Sequence, residues 1–326
     1  MNHGSERDRP LSVAVLGANG WIGQSVVRDL AGSQHRVVCL SRRRPRVLPT
    51  NAKWTRLDAQ VKAQELAVAL RETDAVISVA GAAHLADSQV STSAIFSNEE
   101  LPRVLGEAAM IAGVSRVVHL SSIKAVGEGG NEPLRPADVP RPTTDYGKSK
   151  LAGERAISEV ASSSLGIRLV IVRPPMVYGP QAPGNIARLS RLAMSRGPVP
   201  LPVPYPKRSL VYLGNLSSLL MHLCLSATSP ARVVHLADIP HLTTRELVTR
   251  IANAAGARDR VVPIPVGLFA PIARLAGRSE DFARVVRDLV VEPSSEADLA
   301  DWVAPYPAHA GFRKTFAPSS SARPDP

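Results

Sequence analysis

Short apolar runs alternate with longer amphipathic segments through the first half of this chain. The apolar runs predict strands near residues 12–16, 36–40, 53–57, 75–79, 116–120 and 168–172. The segments between them show the apolar spacing of helices. Strands that alternate with helices favour a doubly wound parallel sheet, so we predict an α/β fold with helices on both faces of the sheet.

The pattern changes after residue 173, where prolines become frequent. Segments 179–184 and 197–206 carry prolines and glycines at a density typical of loops. Beyond them, the apolar spacing predicts helices near 213–227 and 243–255 and a short strand at 233–236.

These changes divide the chain into three parts. We expect a large first domain at 1–178 and a smaller C-terminal lobe at 179–316, with some segments of the lobe returning to the first domain. The last residues, 317–326, are rich in serine and proline, so we expect a disordered tail there.

Three glycines, Gly17, Gly20 and Gly23, follow the first predicted strand at equal spacing. The first allows a sharp turn out of the strand, the second allows backbone N–H groups to approach a phosphate, and the third allows close packing of helix and strand. The start of the next helix would direct its positive end at the same point. The segment therefore predicts a strand–turn–helix that binds the pyrophosphate of a dinucleotide.

Tyr146 and Lys150 form a candidate acid/base pair. A spacing of four places both side chains on one face of a helix, which the polar residues 143–145 would open. A nearby ammonium favours the phenolate and so lowers the pKa of the phenol from about 10. Ser122 follows the strand at 116–120, at the end where parallel sheets bind ligands. These groups indicate proton exchange in hydride chemistry, although the Tyr–Lys spacing also arises by chance on exposed helices.

Five segments in a fixed order resemble the NAD-dependent epimerase/dehydratase family of extended short-chain dehydrogenase/reductases. They are residues 17–23, 74–81, 117–122, 146–150 and 173–180. The closest resemblance is to members of the UDP-glucose 4-epimerase type in surface-polysaccharide pathways. It implies a Rossmann-type NAD(P)-binding domain, a nucleotide-sugar substrate held by the C-terminal lobe, and assembly as a homodimer.

The resemblance also implies roles for individual residues. Ser122 would orient the reacting oxygen, Tyr146 would act as the acid/base, and Lys150 would tune Tyr146 and hold the nicotinamide ribose. The implied cofactor-binding residues are Gly17, Asn19, Gly20, Trp21, Ile22, Gly23, Ser41, Arg42, Asp58, Ala80, Gly81, Asn98, Tyr146, Lys150, Arg173 and Pro174. The implied substrate-binding residues are Ser122, Asn185 and Arg208.

The choice between NAD and NADP depends on the end of the second predicted strand. An acidic residue about twenty positions past the glycines would hold the ribose 2′-hydroxyl of NAD. This chain has Ser41, Arg42 and Arg43 there instead. A guanidinium suits a 2′-phosphate, so NADP is at least as well supported as NAD. The alternative is that these arginines only cover a solvent-facing loop.

The residues after Ser122 bear on the reaction. In dehydratases of the family an Asp-Glu pair follows the catalytic hydroxyl, whereas this chain has Ile123 and Lys124. Dehydration is therefore disfavoured, which leaves hydride transfer at a sugar C4 by a 4-epimerase or a 4-keto reductase. Two alternatives stay open: a catalytically silent NAD(P)-binding sensor of the same fold, and a reductase of a non-sugar ketone.

Composition and charge exclude several classes of partner. The net charge is +11, but apart from residues 42–46 the arginines are scattered and aromatic residues make up only 4% of the chain, so we expect no nucleic-acid partner. Cys39 and Cys224 fall in apolar segments, which indicates core positions, no metal site and a reducing, cytoplasmic location. A polar N-terminus and interrupted apolar stretches indicate neither a signal peptide nor a membrane span, so no membrane partner is expected.

Overall fold

The computed structural model describes residues 9–82, 96–163, 166–228, 230–268 and 287–318. The strands are β1 (Ser12–Leu16), β2 (Arg36–Ser41), β3 (Ala52–Arg56), β4 (Ala75–Ser78), β5 (Arg116–Leu120), β6 (Arg168–Arg173), β7 (Met176–Tyr178), β8 (Val199–Val203), β9 (Lys207–Arg208), β10 (Leu210–Tyr212), β11 (Val233–His235), β12 (Leu242–Thr243) and β13 (Val261–Pro265). The helices are α1 (Trp21–Ala31), α2 (Ala63–Ala69), α3 (Leu101–Ala112), α4 (Asp145–Ser163), α5 (Gly184–Ala193), α6 (Leu213–Leu225), α7 (Thr244–Ala254) and α8 (Ala308–Phe316).

Seven strands form one parallel sheet in the order β11-β6-β5-β4-β1-β2-β3. The chain builds outward from β1 to β3, then returns to the centre and builds outward again from β4 to β6. The order in which strands are added to the sheet reverses between β1 and β4. Sheets of this kind bind ligands at that point, at the carboxyl ends of the strands. The predicted doubly wound α/β fold is therefore confirmed.

Helices cover both faces of this sheet. On one face α1 and α6 pack their apolar sides against the strands, and Leu30 and Leu220 are fully buried there. On the other face α2, α3 and α4 contribute Leu66, Leu105 and Ile157 to a second apolar core. Burial on both faces explains why the strands are continuous apolar runs rather than alternating ones.

The six strands predicted in the first half of the chain are confirmed, with ends that differ by at most one residue. Both cysteines, Cys39 and Cys224, are buried and unpaired, as predicted. The helix predicted at 213–227 ends two residues early, because Ser226 adopts an extended rather than helical ψ of 137°. Of the tail predicted to be disordered, residues 319–326 lie outside the described residues.

The C-terminal lobe and the first domain share segments of chain. Helix α6 and strand β11 both follow residue 178, yet α6 packs on the main sheet and β11 joins the edge of that sheet beside β6. The short strands β7 and β10 pair with each other and belong to the lobe. The predicted linear boundary at 178 therefore separates strand β7 from the loop after it, while the structural lobes interleave.

Asp238 ties these returning segments together. Its carboxylate accepts hydrogen bonds from the Tyr178 hydroxyl at 3.1 Å, the Tyr212 amide at 2.8 Å and the Asn215 side chain at 2.9 Å. These donors come from β7, β10 and α6. One half-buried acid thus fixes the C-terminal lobe against the helix that packs on the main sheet.

Candidate active site

The glycine turn after β1 leaves no room for side chains. Gly17 has a φ of +92°, and a Cβ added there would lie 2.7 Å from the backbone nitrogen of Ala80. A Cβ on Gly23 would lie 2.2 Å from the carbonyl oxygen of Gly17. Glycine is therefore required at both positions, as expected for a turn that brings backbone close to a ligand.

Helix α1 begins directly after this turn, and the backbone N–H groups of its first turn can bind an anion. Its N-cap residue, Gly20, supplies no side-chain cap, and its first turn, which starts with Trp21, Ile22 and Gly23, contains no acidic residue. Uncapped N–H groups and the positive end of the helix suit a phosphate. Trp21 also donates a 2.9 Å hydrogen bond from its indole nitrogen to the carbonyl of Pro180, which links the turn to the C-terminal lobe.

A cavity of about 710 Å³ opens beside the glycine turn. Its lining includes Gly17, Asn19, Gly20, Ser41, Arg42, Asp58, Ala80 and Gly81, all predicted from the sequence to bind the cofactor. Arg43 and Arg56 line it as well. The glycine turn, the uncapped helix start and this lining together fit a bound dinucleotide. A larger groove of about 1050 Å³ runs along the edge strand β3 but does not include the glycine turn.

Ser41 organises the arginine-rich side of this cavity. Its hydroxyl donates a 2.7 Å hydrogen bond to the carbonyl of Arg43 and accepts a 3.1 Å bond from the indole nitrogen of Trp54. The parallel register of β2 and β3 places Arg56 directly beside Ser41. The Ser41 side chain thus shapes the turn that carries Arg42 and Arg43, a role that the sequence did not indicate.

Tyr146 and Lys150 lie on α4, which begins at Asp145, within the predicted start at residues 143–145. Thr144 caps this helix, since its hydroxyl accepts the amide of Gly147 at 3.2 Å. Tyr146 is half-buried and Lys150 is buried. Ser122 follows β5, and its hydroxyl accepts the amide of Lys124 at 3.2 Å. The side chains of Ser122 and Tyr146 are hydrogen-bonded to each other.

Lys150 connects this group to the cavity. Its ammonium donates a 3.0 Å hydrogen bond to the carbonyl of Leu120, the last residue of β5. A Cβ added to Gly81, which lines the cavity, would lie only 3.3 Å from the same nitrogen. The buried Asn98 amide holds this region in place through hydrogen bonds to the backbone of Ala82 and to the hydroxyl of Ser149. The residues predicted to act in catalysis and those predicted to bind the cofactor therefore come close together where Lys150 approaches Gly81.

The pKa of Tyr146 shifts in the opposite direction from the one that the sequence predicts. Burial raises the pKa of Tyr146, and the hydrogen bond with Ser122 only partly opposes this rise. Burial also lowers the pKa of Lys150 to about 8, opposed by the carboxylate of Glu154. The prediction that Lys150 makes the phenol more acidic is therefore corrected: removing both groups from water disfavours the phenolate and the ammonium alike.

Arg173 has a partner that the sequence did not reveal. Its guanidinium donates two hydrogen bonds to the carboxylate of Glu154, at 2.9 and 2.6 Å, and both side chains are buried. The two guanidinium nitrogens of Arg173 that make these bonds contact Glu154 and not a cofactor, contrary to the prediction. Pro174 is buried, and its carbonyl accepts the amide of Ile123 at 2.9 Å, which positions the turn after Ser122.

A second network joins that turn to α4. Lys124 forms an ion pair with Glu128, and the same carboxylate accepts a 2.6 Å hydrogen bond from the hydroxyl of Thr144. The cap of helix α4, which carries Tyr146 and Lys150, is thus linked to the residues that follow Ser122. The sequence placed Lys124 two residues after Ser122 but gave no signal for its pairing with Glu128.

The substrate-binding residues predicted in the C-terminal lobe stand apart from the cavity. Asn185 is exposed in the first turn of α5, and Arg208 is half-buried on β9. Burial lowers the pKa of Arg208, opposed by the nearby Asp288. Neither residue lines the cavity beside the glycine turn. Their contact with a substrate stays a prediction.

We expect Lys150→Met to stabilise the protein at pH 7 while it abolishes activity. The pKa of this lysine falls from 10.5 in the unfolded chain to about 8 in the folded protein. Below pH 8 the folded state therefore buries a charged ammonium, which lowers the free energy of unfolding. Between pH 8 and 10.5 the unfolded chain binds more protons, so wild-type stability rises with pH. Methionine removes the penalty, which is worth at most about 3 kcal/mol.

Urea unfolding at several pH values measures this difference. The advantage of the variant should shrink as pH rises from 8 to 10.5. A difference between the two proteins that is constant over this range would contradict the depressed pKa of Lys150.

Comparison with known proteins identifies the family. The model of the NAD-dependent epimerase/dehydratase family matches residues 13–241. This chain belongs to that family. A UDP-glucose 4-epimerase of Vibrio cholerae is 29% identical over 319 residues, covering 95% of this chain and 96% of the relative. A 2'-dehydrokanamycin reductase of Streptomyces kanamyceticus is 29% identical over 263 residues, covering 78% of this chain and 70% of the relative.

Solved structures extend the comparison to the fold. The structure of MoeE5 in complex with UDP-glucuronic acid and NAD superposes with a TM-score of 0.74 at 25% identity, covering 94% of this chain and 97% of that one. In the part of the chain that the structure describes, no cluster of His, Cys, Asp and Glu side chains suits a metal ion. Within the same residues, no helix is both long and apolar enough to span a bilayer.

Proposed function

We propose that this epimerase/dehydratase family member transfers hydride at C4 of a nucleotide sugar, as a 4-epimerase. The observation that carries the proposal is the buried Lys150, which shares helix α4 with Tyr146 and lies beside Gly81 in the lining of the cavity, while Tyr146 is hydrogen-bonded to Ser122. The near-complete coverage of a relative named UDP-glucose 4-epimerase supports the choice of reaction. A silent NAD(P)-binding sensor would have no need of a buried lysine beside a serine and a tyrosine.

The chain supplies proton transfer and orientation. A nicotinamide, when bound, supplies the hydride acceptor and donor. Burial keeps the phenol of Tyr146 protonated at neutral pH, which suits its role as the acid that returns a proton to the C4 oxygen. In its role as base, the phenolate needs a nearby positive charge, and Lys150 is the cation on the same helix face. Ser122 orients the same oxygen through its hydroxyl.

A 4-keto reductase that uses NADPH is the second candidate. Three arginines, Arg42, Arg43 and Arg56, line the cavity where β2 and β3 end, against the single carboxylate of Asp58. Guanidinium groups bind a phosphate by charge-assisted hydrogen bonds, so this lining favours a cofactor with a 2′-phosphate. A reductase consumes its cofactor, as expected of an NADPH enzyme. The relative named 2'-dehydrokanamycin reductase is consistent with this reaction type and with a substrate that is not a nucleotide sugar.

The nucleotide carried by the purified protein separates the two candidates. We would denature fresh protein and identify the released nucleotide, then incubate the protein with UDP-glucose or UDP-N-acetylglucosamine and follow C4 inversion by NMR. Near-stoichiometric NAD together with inversion would support the epimerase. A protein that releases no nucleotide but then binds NADPH would support the reductase. A protein that binds neither NAD nor NADP would overturn both.

We expect Arg42→Ala and Arg56→Ala each to weaken NADP(H) binding by at least tenfold relative to NAD(H). Each variant removes a guanidinium from the lining of the same cavity, and bonds to a charged group are worth about 1.5–3 kcal/mol. Isothermal titration with both nucleotides measures the effect. Arg44→Ala is the matched control, because Arg44 is exposed in the same turn but does not line the cavity. Equal losses for NAD and NADP would show that these arginines do not select a 2′-phosphate.

We further propose that the chain forms a homodimer through a surface that includes α3 and α4. Helix α3 packs closely on α4, where Gly106 approaches Val160, and exposes Met110 and Ile111 at its C-terminal end. These exposed apolar side chains support a partner there. Size-exclusion chromatography with light scattering measures the mass of the protein in solution. A mass equal to that of one chain would contradict the proposed dimer.

A further inference from the structure

The segment of the chain that leads into the C-terminal lobe and through its first part has a one-sided distribution of charge. No aspartate or glutamate occurs between Glu159 and Asp238, whereas the same segment contains seven arginines and one lysine. The buried ion pair with Glu154 accounts for Arg173, and the predicted substrate site accounts for the half-buried Arg208. The cations on the outer surface of the lobe have no such role.

Helix α5 presents one of these cationic surfaces. Its inner side buries Ile186 and Ala193 in the core of the lobe. Its outer side exposes Arg188, Arg191 and Leu192, and the last of these keeps 37% of its surface exposed. Helical spacing places residues 188, 191 and 192 together on this outer side.

The chain that leaves α5 continues the same pattern of apolar and cationic groups. Met194, at the C-terminal end of the helix, is 46% exposed, and Arg196 follows it in an exposed position. Since α5 ends here, these two residues adjoin Arg191 and Leu192 on its last turn. Alternating aliphatic and cationic side chains thus extend from the helix into the connection to β8.

The outer face of the β8–β13 ribbon is apolar. The parallel register places Pro200 beside Val262 and Pro202 beside Ile264, so these four side chains share one face. Pro200 and Val262 are exposed. An exposed two-stranded ribbon with only apolar residues on its outer face is unusual unless that face meets a partner.

Two further arginines stand at the start of this ribbon. Arg258 and Arg260 precede β13, and the carbonyl of Arg260 accepts the amide of Val199 at 2.9 Å. The only acid between them, Asp259, forms an ion pair with Arg245 at 3.5 Å. The described residues provide no ion pair for Arg188, Arg191, Arg196, Arg258 or Arg260.

We propose that this basic–apolar surface docks the protein on a bilayer that contains anionic phospholipids. We define the surface as Arg188, Arg191, Leu192, Met194, Arg196, Pro200, Pro202, Arg258, Arg260, Val262 and Ile264. Peripheral binding of this kind combines apolar side chains that enter the headgroup region with arginines that attract anionic lipids. The sequence-based expectation of no membrane partner rested on the lack of a spanning segment, which peripheral docking does not need.

Lipid fits the surface better than nucleic acid does. Proteins that bind single-stranded nucleic acid place aromatic side chains among their cations, and the bases stack on these rings. This surface instead has aliphatic side chains and prolines between its arginines. Helix α5 begins near Asn185, the predicted substrate residue, and its other end lies about 15 Å away. Docking through that end would leave the substrate side of the lobe accessible.

Sedimentation of the full-length protein with vesicles tests the proposal. We expect binding to vesicles of phosphatidylglycerol and phosphatidylcholine but not of phosphatidylcholine alone, with loss of binding at high salt. Arg188→Gln/Arg191→Gln should weaken binding by roughly thirty-fold, at about 1 kcal/mol for each arginine. Leu192→Ser/Met194→Ser should weaken binding to the same vesicles as well, because it removes the apolar contribution.

A charge-matched control separates this surface from the net charge of the protein. Arg44→Gln/Arg46→Gln removes two exposed cations outside the surface and should leave vesicle binding unchanged. Equal weakening by the control, or equal binding to neutral vesicles, would overturn the proposal. The proposal would also be overturned if Arg188→Gln/Arg191→Gln lowered the affinity for duplex DNA but left the affinity for vesicles unchanged. The assay needs neither cofactor nor sugar, so its outcome is independent of the proposed reaction.

Discussion

Replacing Tyr146 with phenylalanine is expected to lower kcat by roughly 10³-fold, because acid–base groups of this kind contribute 10²–10⁴ to the rate. Phenylalanine keeps the aromatic ring and removes the hydroxyl alone. The hydrogen bond with Ser122 is lost, but Lys150 keeps its bond to the carbonyl of Leu120. Cofactor affinity should therefore change less than threefold. Steady-state kinetics with UDP-glucose or UDP-N-acetylglucosamine, whichever is turned over, and a nucleotide titration measure the two effects.

A matched control addresses the loss of a hydroxyl as such. Tyr205 is half-buried in the C-terminal lobe and packs against its apolar core. Tyr205→Phe makes the same chemical change away from the sheet edge and should leave kcat near the wild-type value. If Tyr146→Phe also kept kcat within threefold of wild type, Tyr146 would have no part in proton transfer.

The main sheet could be predicted from sequence because its strands carry their own signal. Residues 116–120 and 168–172 are continuous apolar runs, as burial on both faces demands, and the structure places them side by side as β5 and β6. The glycine turn was equally clear, because the geometry at Gly17 and Gly23 tolerates no other residue. Such features depend on local spacing, which sequence analysis sees directly.

Features that depend on burial or on register could not be predicted in this way. The approach of Arg56 to Ser41 follows from the pairing of β2 with β3, which no local pattern specifies. The direction of the Tyr146 pKa follows from how much water the folded chain removes, so a rule based on spacing to Lys150 gave the wrong sign. Glu154 and Arg173 are nineteen positions apart in the sequence, and only the packing of α4 on β6 brings them together.

That buried ion pair gives the largest expected effect on stability. Glu154→Gln should lower the free energy of unfolding by about 3–5 kcal/mol, because it leaves the Arg173 guanidinium buried without a compensating charge. The exposed pair of Arg103 and Glu107 on α3 provides the control. Glu107→Gln removes the same charge from a pair four residues apart, and such exposed pairs are worth about 0.3–0.5 kcal/mol. Urea unfolding of the two variants measures the difference.

Glu154→Gln should also act on catalysis through Lys150. The Glu154 carboxylate opposes the fall in the pKa of Lys150, so its loss should lower that pKa further below about 8. The lysine would then lose its proton at lower pH, and the alkaline limb of the kcat profile should move in the same direction. Glu154→Leu/Arg173→Met removes both charges and should restore most of the stability. It should not restore the pH profile, because Lys150 still lacks its carboxylate. A double variant that recovered both would show that Glu154 acts only as the partner of Arg173.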